Sequence, residues 1–178
     1  MVKDDISAEE LRKLLRYEPE TGKLFWLPRP VGMFKAKGKT WNARFAGKEA
    51  FTAIKQDGYK IGKVFGRVLL AHRVIWALVT GEWPKNEIDH KNRQVADNRW
   101  ANLREATRSE NNRNTGVRSD SVSGIKGVRW NKSANKWVAE IKANGDRVYL
   151  GCFDTPEEAG ASYDAAAKRQ HGDFARTA

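Results

Sequence analysis

A single cysteine, Cys152, is the whole thiol content of the 178-residue chain. That excludes an internal disulfide and any multi-cysteine zinc ribbon or finger. No run approaches the roughly eighteen apolar residues of a membrane-spanning helix, and the opening "MVKDDISAEELRKLL" lacks the apolar core of a secretory signal. A soluble protein of a reducing compartment is expected. Acidic side chains are also scarce, 22 against 33 lysines and arginines, for a net charge of +11. The imbalance is local. Residues 23–86 hold net +10, whereas residues 1–22, 87–123 and 124–178 hold −2, +1 and +2. A dense positive field interleaved with Trp26, Trp41, Tyr59 and Trp76 suits a polyanion, most commonly nucleic acid, with a solubilising surface as the plain alternative. Seven tryptophans supply core material for one average domain or two small ones.

Local signals divide the chain. In "ISAEELRKLLRYEPETG" Ser7 and Glu10 form a capping box ahead of Leu11, Leu14 and Leu15, so a short helix is expected, ended by Pro19 and Gly22. "KLFWLP" reads as a strand, and Gly32 to Gly66 as irregular hairpins. A helix is expected from near Leu70 to Gly81, with Val74, Ile75, Leu78 and Val79 facing a core. The small, polar segment 114–123 reads as a linker. Beyond it "GIKGVRWN", "KWVAEIKA" and "DRVYLGCF" form three β-type segments. A helix follows, with Thr155 as N-cap, Pro156 first, Glu158 closing the box and Gly172 at the C-cap. Ala159, Tyr163, Ala166 and Ala167 give it a small-residue face that can lie close on a sheet.

The motifs "GVRW", "KWVAEI", "YLGCFDTPEEA", "ASYDAAA" and "HGDFA" resemble the Apetala-2/ethylene-response-factor DNA-binding domain over residues 124–176. The resemblance implies three antiparallel strands on one helix, the sheet entering the major groove of double-stranded DNA. By position, Lys126, Arg129, Glu140, Lys142, Arg147 and Tyr149 would face DNA. Arg129 and Arg147 suit bidentate contacts to guanine, while Lys126, Lys132 and Lys142 suit phosphates. Trp137, Ile141, Leu150 and Phe153 read as core, and His171 as a helix-end residue. Lys126, Lys142 and Tyr149 stand where plant members commonly have Arg, Arg and Trp, so their target sequence does not transfer. Exposed strands carry Arg and Lys in any case; only the family match lifts these residues above that background.

Residues 86–114, "NEIDHKNRQVADNRWANLREATRSENNRN", crowd seven asparagines and five arginines around Asp89-His90. Singly, each residue fits a polar loop and a capped helix. Phosphodiester hydrolysis, however, needs a base titrating near neutrality, which imidazole is, and a hard cation held by oxygen ligands. "DHKNRQVADNRWANLREATRSEN" resembles the zinc-free HNH endonuclease motif of phage and intron-encoded nucleases. That resemblance implies an α+β fold: a ββα-metal nuclease domain followed by the small three-stranded antiparallel sheet packed on one helix. It makes His90 the general base, Asp89 and Asn111 the ligands of Mg²⁺ or Mn²⁺ without structural zinc, and Asn102 the residue that orients the imidazole and ties the loop. Lys91 to Ala101 would join the strands and Thr107 to Asn114 form the helix. Asn112 and Asn114 are alternatives to Asn111, Asn98 would satisfy loop backbone, and Arg93, Arg99, Arg104 and Arg113 would contact phosphates. His72 reads as structural first, a phosphate contact second.

The expected organisation is an HNH nuclease region over residues 1–113, a linker at 114–123 and a DNA-binding domain over 124–178. Within the nuclease region a basic segment spans residues 1–86, and the ββα-metal motif spans about 86–114. The expected function is a metal-dependent, site-directed DNA endonuclease resembling phage homing enzymes, cytoplasmic in a bacterial or phage-infected cell, a monomer being favoured. The alternatives are a non-catalytic DNA-binding regulator with a decayed nuclease, which the intact Asp89, His90, Asn102 and Asn111 argue against, and an RNA-directed or structure-selective nuclease. Narrow A-form major grooves disfavour the latter.

Overall fold

The computed structural model describes residues 6–30, 38–117, 120–143 and 145–175. The expectations at residues 32–37, at linker positions 118 and 119 and at 176–178 lie outside them. The chain divides into two compact units, Met1–Ala106 and Thr107–Ala178.

The first unit starts with α1 (Ala8–Leu14), capped as expected: Ser7 accepts from the Glu10 amide and Glu10 answers the Ser7 amide. The helix ends sooner than its leucine stripe suggests. Leu15 already begins β1 (Leu15–Glu18), which pairs antiparallel with β2 (Lys23–Trp26) across the Pro19–Gly22 turn. The stretch read as irregular hairpins contains a helix, α2 (Gly38–Phe45). Tertiary contacts hold it. Trp41 meets Trp26 edge-on at 5.3 Å, Arg29 stacks over Trp41 at 3.7 Å, and Asn42 Oδ1 accepts from the Arg29 amide at 2.8 Å.

Short strands β3 (Glu49–Ala50) and β4 (Ala53–Ile54) lead to the hairpin β5 (Lys60–Val64) and β6 (Arg67–Leu70). Helix α3 (Ala71–Thr80) follows directly and stops at Gly81, whose left-handed backbone (φ 89°) suits glycine. Ala71, Val74, Ile75, Ala77 and Leu78 are buried, but Val79 is 42% exposed and does not face the core. At about 100° per residue Val79 falls on the wheel between Ile75 and His72, so its exposure comes from its place in the last turn of α3 and not from its angle. Arg12 of α1 closes the end of α3 by donating to the Leu78 carbonyl at 2.8 and 3.0 Å.

The core built on Leu11, Leu24, Val74 and Ile75 also takes in Ile88 and Leu103. These residues root the hairpin of β7 (Glu87–His90) and β8 (Leu103–Ala106), which pairs Asp89 with Arg104 and His90 with Leu103. Alternation does the rest: with Ile88 in the core, its neighbours Glu87 and Asp89 must leave the sheet on the opposite face.

The second unit opens with α4 (Arg108–Arg113), capped by a Thr107–Glu110 box. Strands β9 (Val128–Asn131), β10 (Lys136–Ala143) and β11 (Asp146–Phe153) form an antiparallel sheet in the order β11-β10-β9. Helix α5 (Pro156–His171) carries the expected Thr155–Glu158 box and N-terminal proline. Ala159, Tyr163, Ala166 and Ala167 are buried against Ile141, Val128 and Ala139, with Trp137, Leu150 and Phe153 partly buried beside them.

Candidate active site

Asp89 and His90 end strand β7 with 4% and 3% of their surface exposed, unusual burial for two ionisable side chains. Each has a specific partner. Arg104, directly across the hairpin, donates to Asp89 Oδ2 from Nε and from Nη2, both at 2.7 Å. Arg104 is therefore a partner of the carboxylate, where a phosphate contact was expected. His90 Nε2 lies 3.0 Å from Asn98 Oδ1. An amide oxygen can only accept, so Nε2 carries the proton and the lone pair of the neutral ring falls on Nδ1. Burial pushes His90 below the usual imidazole range, against the opposing pull of Asn98, Asp89 and Asp97.

The expected orienting role of Asn102 passes to Asn98. Asn102 Oδ1 accepts from the Asn92 amide at 3.0 Å and its Nδ2 donates to the Asp97 carbonyl at 2.7 Å. It ties the loop and does not reach the imidazole. Asp97 is the other knot. It accepts from Arg99 at 2.6 and 2.8 Å and from Asn92 at 2.7 Å, and Arg99 above all holds its carboxyl far below the carboxylate range. Asn98, 1% exposed, is pinned from behind as well: the partly buried Tyr17 donates from its hydroxyl to the Asn98 carbonyl at 2.8 Å. Gly22, at φ +71°, brings the β1–β2 turn against the same backbone, where an added Cβ would meet Arg99 N at 2.5 Å. Only glycine permits that approach.

Asn98 was expected to serve loop backbone only, and its link to His90 left no sequence signal beyond asparagine richness. Replacing it tests the geometry. Asn98→Ala is expected to lower any His90-dependent cutting by roughly 10- to 100-fold, the usual effect of losing an orienting partner, with DNA binding retained. Nicking rates and filter binding of the two proteins check this.

Three aromatic rings cluster here. His72, on the first turn of α3, meets His90 edge-on at 5.2 Å and Tyr59 at 5.0 Å, and Tyr59 lies 6.0 Å from His90. Burial pushes His72 down to about 3, so its ring is neutral at pH 7.

Asn111 and Asn112 lie on α4 and Asn114 follows it, all in the second unit. Asn112 is exposed, and Asn114 is buried at the C-cap. Among the described residues no group of three or more His, Cys, Asp or Glu side chains is placed to hold a metal. One carboxylate with amide oxygens is nonetheless a hard-oxygen donor set of the kind Mg²⁺ and Mn²⁺ take. The Asp89 carboxylate is a hard anionic oxygen donor, and its chemistry fits such an ion.

In the second unit Arg129, Lys142, Arg147 and Tyr149 are exposed on the sheet, and Lys132 on the turn after β9. Glu140 stands between the two arginines, 2.9 Å from Arg129 and 3.9 Å from Arg147. Lys126 differs from expectation. It precedes β9, and its ammonium donates to the carbonyls of Arg113 and, at 2.9 Å, of Thr115, where it closes the end of α4.

Comparison with known proteins places these features. Residues 69–113 match the model of the HNH endonuclease family and residues 123–173 that of the AP2 domain. Protein 3.8 of Escherichia phage T7 is 30% identical over 115 residues, 64% of this chain and 94% of that protein. The ethylene-responsive transcription factor ERF024 of Arabidopsis thaliana is 50% identical over 44 residues, 24% of each chain. The dehydration-responsive element-binding protein 2A of the same plant is 46% identical over 54 residues, 29% of this chain and 16% of that one. This chain thus spans a quarter or less of those plant proteins. A solved structure of DNA binding and cleavage by the HNH homing endonuclease I-HmuI shares 18% identity over 89% of this chain and 85% of that one, with a TM-score of 0.39, too loose a likeness to carry weight. The chain belongs to the HNH endonuclease family. Its C-terminal region is an AP2 domain, so a nuclease module and a DNA-binding module share one polypeptide. Among the described residues no helix is long and apolar enough to cross a membrane.

Proposed function

We propose that the chain is a metal-dependent, site-directed endonuclease that hydrolyses phosphodiester bonds of double-stranded DNA. The observation that carries this reading is the buried Asp89–His90 pair, with Nε2 of His90 committed to Asn98 and its basic lone pair on Nδ1. In the proposed mechanism His90 Nδ1 takes a proton from water as the water oxygen attacks phosphorus in line, and the bond from phosphorus to the 3′ oxygen breaks. Asp89 and Asn111, or Asn112 in its place, would hold one Mg²⁺ or Mn²⁺. When bound, such an ion neutralises charge on the phosphate and the departing oxygen. Asn102 and Asn98 keep the loop and the imidazole in place, and Arg93, Arg99 and Arg113 contact flanking phosphates.

Residues 1–113 form the cutting region, and residues 124–178 read DNA across the 114–123 linker, which raises the local concentration of each module at the other's site. On the sheet Arg129 and Arg147 reach guanine edges, Lys132 and Lys142 reach phosphates, and Tyr149 and Glu140 complete the reading face. A monomer in the cytoplasm of a bacterial or phage-infected cell suits this role.

A supercoiled-plasmid assay with Mg²⁺ or Mn²⁺ tests the reading. Nicking or linearisation is expected; protein that binds DNA yet never cuts with any divalent metal would instead be the non-catalytic regulator. The reading face has its own test, selection from a random-sequence DNA pool. Arg129→Ala is expected to flatten the enriched motif at one guanine by about ten- to hundredfold, the discrimination of one bidentate contact. Affinity of the wild type is expected to fall steeply with salt as the entropic gain from counterion release shrinks. An unchanged motif, or affinity flat in salt, would remove the groove-reading assignment.

A further inference from the structure

The proposed chemistry leaves His72 unused, although its ring stands beside that of His90. Its surface is only 5% exposed, yet its ring makes no hydrogen bond among the described residues. Buried polar groups are nearly always partnered, by protein or by water, so an imidazole beside His90 with no partner among the described residues is left to solvent or to a bound molecule. Among the described residues the only sealed side-chain nitrogens without a partner are Asn98 Nδ2 and His171 Nδ1. The ring nitrogens of His72 therefore reach the surface through the little area the residue retains. Its carbon framework is fixed by two neighbours, Tyr59 at 5.0 Å and His90 at 5.2 Å with the His72–His90 planes at 85°. A ring flanked by Tyr59 and His90, with no hydrogen bond to its nitrogens among the described residues, is placed to meet something from outside the chain.

We infer that His72 is a substrate contact, its imidazole N–H donating a hydrogen bond to a non-bridging oxygen of the DNA phosphodiester that lies beside His90. An imidazole carries at least one N–H in either protonation state, so the contact does not depend on titration. The alternative is a packing ring that any flat aromatic could replace. The assignment rests on the nuclease reading above and extends it by one residue that touches the substrate.

The test uses the full chain, supercoiled plasmid and Mg²⁺, with single-turnover nicking at saturating DNA. His72→Phe keeps a ring and removes the N–H; His72→Asn and His72→Gln keep an N–H and remove the ring. The phenylalanine variant is expected to nick about 100-fold more slowly, the usual loss for one donor to developing oxyanion charge, with DNA affinity near wild type. Asn or Gln, whichever amide reaches the oxygen, is expected to recover at least a tenth of the wild-type rate. Rates are normalised to the DNA-binding fraction, so a poorly folded variant does not imitate the effect.

The opposite order, with Phe active and both amides impaired, would make His72 a packing ring and overturn the inference, as would equal losses in all three. A second readout separates its failure from that of the nuclease reading. The His72 ring resonances of labelled wild type are expected to shift when a DNA duplex is added without divalent metal. Wild type that shifts but never cuts would sink the nuclease reading alone; wild type that cuts with unmoved His72 resonances would sink the inference alone.

Discussion

His90→Ala is expected to abolish plasmid cutting, lowering the rate by about 10³-fold or more, within the range contributed by a positioned general base, while DNA affinity stays within about twofold of wild type. The two effects are expected to separate because the positive charge is concentrated in residues 23–86 and the AP2 domain carries exposed arginines, all of which the substitution leaves in place. The replaced ring is 3% exposed and can touch only what enters the site. The wild type should also show a pH signature. Burial holds His90 below the ordinary imidazole range, so the ring stays unprotonated through neutrality. Its cutting rate should fall only at pH values below the usual imidazole midpoint of about 6.5. A His90→Ala protein that still cuts, or a wild-type rate that halves near pH 7.5, would remove His90 from the base role.

The residues that make this site legible differ in how local their signals are. The boxes at Ser7–Glu10 and Thr155–Glu158 and the stop at Gly81 need only neighbours three or four residues away, and all three appear as the sequence indicates. The same holds for Asp89-His90 at the end of a strand and for the three strands of the AP2 domain. Helix α2 is different. It exists because Trp41 meets Trp26 and Arg29, contacts that no window around residues 38–45 contains. The early switch from α1 into β1 is likewise a hairpin effect, decided by pairing with β2.

Within the site, Asn98 and Asn102 are indistinguishable by residue type. The loop geometry, with Tyr17 and Gly22 packed behind residue 98, decides which one faces His90. Arg104 and Lys126 make a related point. Both were expected to meet phosphates from their places in the family resemblances, and both have intramolecular acceptors, Asp89 for one and the end of α4 for the other. Charge marks a residue as able to bind an anion; only the fold shows whether an internal acceptor already holds it.

That internal pairing sets the second large effect. Asp89→Ala is expected to end cutting and also to destabilise the protein by about 3–5 kcal/mol, the usual result of removing one member of a buried ion pair. Asp89 and Arg104 have 5% and 14% side-chain exposure, and both guanidinium donors converge on one carboxylate oxygen. Alanine leaves that guanidinium without its cross-strand carboxylate in a half-buried position. The two roles of Asp89 can be separated. The double variant Asp89→Leu/Arg104→Leu removes both charges and should regain most of the lost stability, since apolar replacement of a whole buried pair is often neutral or better. It should recover no cutting, because no carboxylate remains to serve as a ligand. Urea melts and plasmid nicking of the three proteins decide the matter. Asp89→Ala melting like wild type would mean that the ion pair is not a buried one in solution. Cutting by the double variant would mean that Asp89 is not a ligand and that its burial serves the hairpin alone.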